Sequence, residues 1–397
     1  MKKIMILGAG PNQLPLIKAT KKIGFFVAVC DYRSNAVGVP IADEFYPVSI
    51  MDYDAVLEAT KKFKADGITT NSEPAMPVAA YAANKLGLPS NDYETISAMT
   101  DKIKFRSLLG CKGIFTPSHG SAKTYEEAKM TFDCLKKPVM IKPAASSGSR
   151  GVVKLENDYI LKAAFDDALS YSRNNTVILE EYIDNSCGHI VAGDIFASDG
   201  KIVFFGLMSS VRNASNPLVP KGEIFPAILS KQQTASVKTE LSRAIESLGF
   251  KFGAINIEAI INKAGEVCFI ELNPRNGGNL IPEGLFEATG FDIFDATVRS
   301  AVGEIIPKHV SEQEIPYVNY MVSSTKSGVL KSVSFSETLK PFIDAYYPDA
   351  EPGDAVEPFV NADKRIGVLM LRFESISQRD EILENIEENI YVEVEQV

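Results

Sequence analysis

The chain has 397 residues, 45% of them hydrophobic and 23% charged, with a net charge of −10. That length suggests two or three domains able to bury a sizeable core. The acidic balance excludes a general nucleic-acid binder, so any phosphate site has to be local. No apolar run is long enough to span a bilayer, and Met1-Lys2-Lys3 leads straight into a strand-like segment, so a cytoplasmic protein with no membrane partner is expected.

Cys30, Cys111, Cys134, Cys187 and Cys268 are scattered without any Cys-x-x-Cys pair. They read as reduced thiols, and with only His119, His189 and His309 beside them a zinc site is not expected.

In chain order, the apolar run Lys3 to Leu7 enters Gly8-Ala9-Gly10-Pro11, a helical stretch follows from Leu14 to Lys22, and Phe25 to Cys30 is a second buried strand ending at Asp31. This is how a doubly wound α/β domain begins. The third glycine of the dinucleotide fingerprint is missing, and a tight structural turn is the preferred reading. A helix at Tyr53 to Phe63, a strand at Gly67 to Thr70 and a helix from Pro77 to Leu86 continue the pattern. Between the last two, Glu73 stands at a strand's carboxyl end, where it either faces a substrate or caps the next helix.

Helical spacing from Ile96 to Leu109 carries Lys102, Lys104 and Arg106. The strand Pro138 to Pro143 then brings Lys142 to the edge of the small-residue loop Ala144 to Gly151, and Val152 to Leu155 resumes as a strand. The loop therefore closes a hairpin and is neither a P-loop nor a Rossmann turn. Its small residues let backbone N–H groups turn toward phosphate oxygens, with Lys142 as a point charge. After a helix from about Asp158 to Tyr171, the strand at Val177 runs into Glu180-Glu181-Tyr182-Ile183, where a change of course exposes backbone groups that suit an adenine edge.

Phe204 to Val211 is an apolar run that leads to Arg212 and then to Lys221, two cations suited to a γ-phosphate or an acceptor carboxylate. A helix from Thr234 to Leu248 precedes the runs Ala254 to Ile261 and Phe269 to Arg275, read as two strands joined by the turn Asn262 to Glu266. Folding brings Glu258 near Glu271, and alternation puts Asn273 on the same face as Glu271. Three hard oxygen donors at a strand end suit Mg²⁺, and a solvated hairpin face is the alternative. Beyond Ile305-Ile306-Pro307 the chain reads as strand-rich.

The order of these pieces resembles the ATP-grasp superfamily, of the carboxylate–amine ligase type that includes L-amino-acid ligases and biotin-carboxylase-like enzymes. A lysine on a linking helix, a lysine before a small-residue hairpin, the Glu-x-x-Ile hinge, an acid on a strand and Glu-x-Asn-Pro-Arg occur in the family's order over nearly the whole chain. The resemblance implies a fold mixing α/β and α+β parts. Residues 1–95 would form a Rossmann-like domain, 96–305 the ATP-grasp domain with a lid at about 117–185, and 306–397 an α+β domain that walls the acceptor pocket or supports a homodimer.

It also implies cofactors, ATP with Mg²⁺ or Mn²⁺, and residue roles. Lys102 and Lys142 would meet the phosphates, and Ser147, Gly148, Ser149 and Gly151 would belong to a mobile lid. Glu180 would take the adenine amino group, with Glu181, Tyr182 and Ile183 around the ring. Glu258, Glu271 and Asn273 would hold the metal, and Arg275 would contact phosphate or the reacting carboxylate. Many relatives hold the ribose with a Gly-x-Glu after the hinge; this chain lacks it, and His189 takes that expected role. The implied activity is phosphorylation of a small carboxylate to an acyl phosphate and its coupling to an amine, with an amino acid or small metabolite as substrate. Alternatives are a bicarbonate-using carboxylase, a purine-pathway ligase, a non-catalytic nucleotide sensor and a nicotinamide-dependent enzyme using Gly8 and Gly10.

Overall fold

Four short strands, the apolar β1 (Lys3–Leu7), β2 (Phe26–Cys30) and β4 (Gly67–Thr69) and the half-exposed edge strand β3 (Glu44–Tyr46), form a parallel sheet in the order β3-β2-β1-β4. Near-continuous apolar runs suit strands covered on both faces. Helix α1 (Leu14–Ile23) packs on one face, and α2 (Tyr53–Phe63) and α3 (Met76–Leu86) pack on the other. The computed structural model describes every residue except Ser147, Ser149, 186–189, 214–216, Glu312 and Val397.

The helix expected from Ile96 to Leu109 is two helices, α4 (Tyr93–Met99) and α5 (Lys102–Cys111). Asp101 makes the break, because its side chain accepts from the backbone N–H of Ile103 and Lys104 and caps α5. Lys102 consequently sits in the first turn of α5. A second, antiparallel sheet follows: β5 (His119–Ala122), β6 (Val139–Pro143), β7 (Val153–Leu155) and β8 (Val177–Glu181), in the order β5-β8-β6-β7. Helices α6 (Tyr125–Cys134) and α7 (Leu161–Tyr171) share its apolar core.

The central sheet is built from β9 (Ile190–Ser198), β10 (Lys201–Arg212), β11 (Pro220–Phe225), β12 (Gly253–Ile261), β13 (Val267–Asn273) and β14 (Tyr317–Val322). Between them run α8 (Lys231–Leu248), α9 (Ile281–Thr289) and α10 (Ile293–Ala301). The tail supplies β15 (Gly328–Phe335), β16 (Ile343–Pro348), β17 (Ala355–Val356), β18 (Gly367–Arg372), α11 (Ile376–Glu384) and β19 (Ile390–Glu395). Two tail strands extend the central sheet, whose order is β13-β12-β9-β10-β11-β14-β18-β16, while β17, β15 and β19 form a small sheet of their own. The largest apolar cluster lies between α8 and the β9, β12 and β13 strands. Among the described residues no helix is long and apolar enough to cross a membrane.

Candidate functional site

A cleft of about 490 Å³ is lined by the second sheet, the central sheet and Glu73 of the amino-terminal unit. Its floor is the β12–β13 hairpin. Glu258 and Glu271 are direct cross-strand partners there, and both line the cleft with Asn273 and Arg275. Like charges directly opposite destabilise a sheet unless they are neutralised. Each has its cation: Lys102 Nζ stands 2.6 Å from Glu271 and Arg212 Nη2 stands 2.8 Å from Glu258. Burial alone would raise the pKa of Glu271. The Lys102 charge and hydrogen bond, with the Asn273 amide, outweigh it and hold the carboxyl down to about 2.

The hairpin register shifts after Glu258, so Ile270 is an extra residue with no partner on β12. Arg106, almost wholly buried, uses this irregularity: its guanidinium donates to the carbonyls of Phe269 at 2.8 Å and Ile270 at 3.0 Å. Its Nε donates to Glu180 at 3.0 Å, and Lys142 Nζ donates to the other oxygen of the same carboxylate. Burial would raise the Glu180 pKa, but Arg106 and Lys142 hold it down to about 2. The hinge acid, the strand lysine and the hairpin are thereby one hydrogen-bonded unit. Sequence reading noted Arg106 only as one cation on a helix, since nothing local signals a contact 163 residues away.

Of the other expected residues, Gly148, Glu181, Tyr182 and Ile183 line the same cleft. Lys102 reaches the loop after β6, donating to the Ser146 carbonyl at 3.1 Å. Gly151 does not line the cleft; with φ +67° it makes a turn against α7, where an added Cβ would lie 3.0 Å from Ala168 Cα. Ser147, Ser149 and His189 lie outside the described residues.

Lys221 is corrected. Pairing on β11 runs from Gly222 opposite Val211 to Pro220 opposite Arg212, so Lys221 is the unpaired residue of a bulge. The bulge turns its side chain out of the cleft, where it donates to Ser323 Oγ and lies 4.9 Å from the Phe359 ring centroid. The acid two residues on, Glu223, faces the cleft instead.

Glu73 also departs from a simple cap. It is 6% exposed, and its two oxygens lie 3.3 Å from Arg275 and 3.4 Å from Arg173. Behind the Arg275 loop, Asp194 is fully buried and accepts from the Gly277 N–H at 2.8 Å and from Asn256 Nδ2 at 2.9 Å. Burial pushes its pKa up to about 7. Glu223 is pushed up to about 8 by the same cause. In the turn after β1, Asp31 accepts from the Ala9 N–H at 2.9 Å and from Arg33.

Among the described residues no group of three or more His, Cys, Asp or Glu converges as a metal cage. Two glutamates and an asparagine at a cleft wall fit Mg²⁺ nevertheless, because that ion takes one or two carboxylates and fills its remaining positions with water and substrate phosphates.

Residues 135–283 match the family model described as ATP-grasp domain. The chain is 26% identical over 336 residues to the carbamoyl phosphate synthase large chain, C-terminal section, of Aquifex aeolicus, covering 77% of this chain and 60% of that protein. It is 28% identical over 322 residues to the formate-dependent phosphoribosylglycinamide formyltransferase of Prochlorococcus marinus, covering 79% of each. The chain thus spans less than two thirds of the first relative. In structure it is similar to an L-amino acid ligase from Bacillus licheniformis, with a TM-score of 0.84 over 100% of this chain and 99% of that one at 19% identity.

Proposed function

We propose that this chain, which carries an ATP-grasp domain within an ATP-grasp fold, is an ADP-forming ligase that joins a small carboxylic acid to an amine. The observation that carries the reading is the directly opposed Glu258–Glu271 pair in one cleft with Lys102 and Lys142. The acid's carboxylate oxygen bonds to the γ-phosphorus as the bond to ADP breaks. The amine nitrogen then bonds to the acyl carbon, loses a proton and displaces phosphate.

The chain's part is positioning and charge. In this proposal Lys102 and Lys142 meet the phosphates, Glu180 and the backbone of residues 181–183 meet the adenine, and Glu258, Glu271 and Asn273 hold Mg²⁺. The bound ion supplies neutralisation of negative charge on the transferring phosphoryl group. Arg212 and Arg275 face the reacting carboxylate. The loop after β6 shields the acyl phosphate from water. No covalent nucleophile from the protein is required.

Amino acids are the favoured substrates, supported by the similarity in fold to an L-amino acid ligase across both whole chains. Formate or bicarbonate as the acid is the second reading, favoured by sequence similarity to a formate-dependent relative. Pairs of L-amino acids, with formate and bicarbonate as further acids, are screened for ADP release and the products identified by mass spectrometry. An acid-dependent signal that Lys142→Ala reduces by at least about a hundredfold supports the reading; ADP release indifferent to any acid, or retained by the variant, contradicts it.

A further inference from the structure

Glu223 lies in the cleft wall on β11, is 3% exposed, and its Oε2 has no hydrogen-bond partner among the described residues. Register sets it between Ser210 of β10 and Asn319 of β14, and the Asn279 side chain hydrogen-bonds the carboxyl. The cation beside it is already committed: Arg212 gives Nη2 to Glu258 at 2.8 Å and Nη1 to the Leu218 carbonyl at 3.4 Å. The Nε of Arg212 is likewise buried without a partner among the described residues. One wall therefore holds an acceptor and a donor left unused among the described residues. A buried polar atom in that condition is costly, and folds retain such atoms where a ligand completes them.

We propose that Glu223 receives the amine substrate, its free oxygen accepting from the N–H groups of a cationic primary amine such as the α-ammonium of an amino acid. The inference rests on the ligase reading above and gives that reading's second substrate a place. The nucleotide triphosphate and the reacting carboxylate are anionic and would be repelled by Glu258 beside this position, whereas an amine that arrives as an ammonium would be attracted to it. The unused Nε–H of Arg212 suits an amine that also bears a carboxylate, which selects amino acids over simple alkylamines.

The full-length protein is assayed with the acid and amine found by the L-amino-acid screen, and in parallel with hydroxylamine, a nucleophile uncharged at pH 7.5, in place of the amine. Glu223→Gln is expected to lose at least about tenfold more in kcat/KM for the amino-acid amine than for hydroxylamine, chiefly through KM. Glu223→Asp recovers part of that loss. The thermal midpoint of Glu223→Gln is not lowered, because the change is made at a group whose Oε2 has no partner among the described residues; a purely structural role would lower it. Equal losses for the two nucleophiles, or none, overturn the assignment while leaving the ligase standing. Absence of acid-dependent ADP release in the wild type, seen before any variant is made, falls on the ligase reading itself and takes the assignment with it.

Discussion

At the scale of single residues, buried charge in this protein falls into two groups that respond to acid in opposite directions. Glu180 and Glu271 have cations against them and are held down to about 2, so their contribution is present above the usual carboxylate range and lost as pH falls through the folded value. Asp194 has amide donors only, and burial pushes it from 3.8 up to about 7. Between those values the folded protein holds a proton that the unfolded chain has released, so this group costs stability as pH rises across the window and no more above it. The cost saturates at roughly 4 kcal/mol. Denaturant unfolding of wild type and Asp194→Asn at several pH values is expected to show the variant gaining on the wild type from pH 4 to pH 7, then a constant gap; parallel curves throughout would contradict the assignment.

At the scale of elements, two bulges decide which side chains meet in the cleft. The one in the β12–β13 hairpin leaves Ile270 unpaired and presents carbonyls to Arg106. The other turns Lys221 out while Glu223 points in. Lys221→Met is accordingly expected to change acid-dependent ADP release by less than about threefold, while Arg212→Met lowers it at least about a hundredfold. A large loss from Lys221→Met would return that lysine to the cleft. The bulges mark where sequence reading stops. Alternation and turn chemistry were enough to read the β12–β13 and β6–β7 hairpins, the shared face of Glu271 and Asn273, and the place of helix α2. A bulge adds one residue to a strand without changing its composition, so nothing in the sequence signalled that Lys221, expected at a γ-phosphate or acceptor carboxylate, turns out of the cleft. Arg106, Asp194 and Glu223 were missed for a related reason: their importance comes from burial and from partners distant in the chain. An Asp inside an apolar run, such as Asp194 in Ile190–Ser198, was the available signal.

At the scale of the molecule, the cleft exists because three sheets meet around it. The amino-terminal sheet reaches it through Glu73, whose carboxylate spans Arg173 just beyond α7 and Arg275 after β13. That sheet docks on α10 through Gly67, where a Cβ would stand 2.1 Å from the Ala301 carbonyl oxygen, a backbone atom that cannot move aside alone. Gly67→Ala is expected to cost about 2 kcal/mol or more in urea unfolding, by forcing the sheet off the helix; an unchanged midpoint would mean that the two are not in contact as described. The proposed function places one demand on the protein as a whole, that the Glu258–Glu271 pair hold the cation that would accompany nucleotide. Calorimetric titration of ADP with and without Mg²⁺, on wild type and on Glu271→Gln, tests that demand without knowledge of the substrates. Mg²⁺ should tighten ADP binding to the wild type at least about tenfold and give no comparable gain in the variant. An equal gain in both proteins, or none in the wild type, would contradict the account.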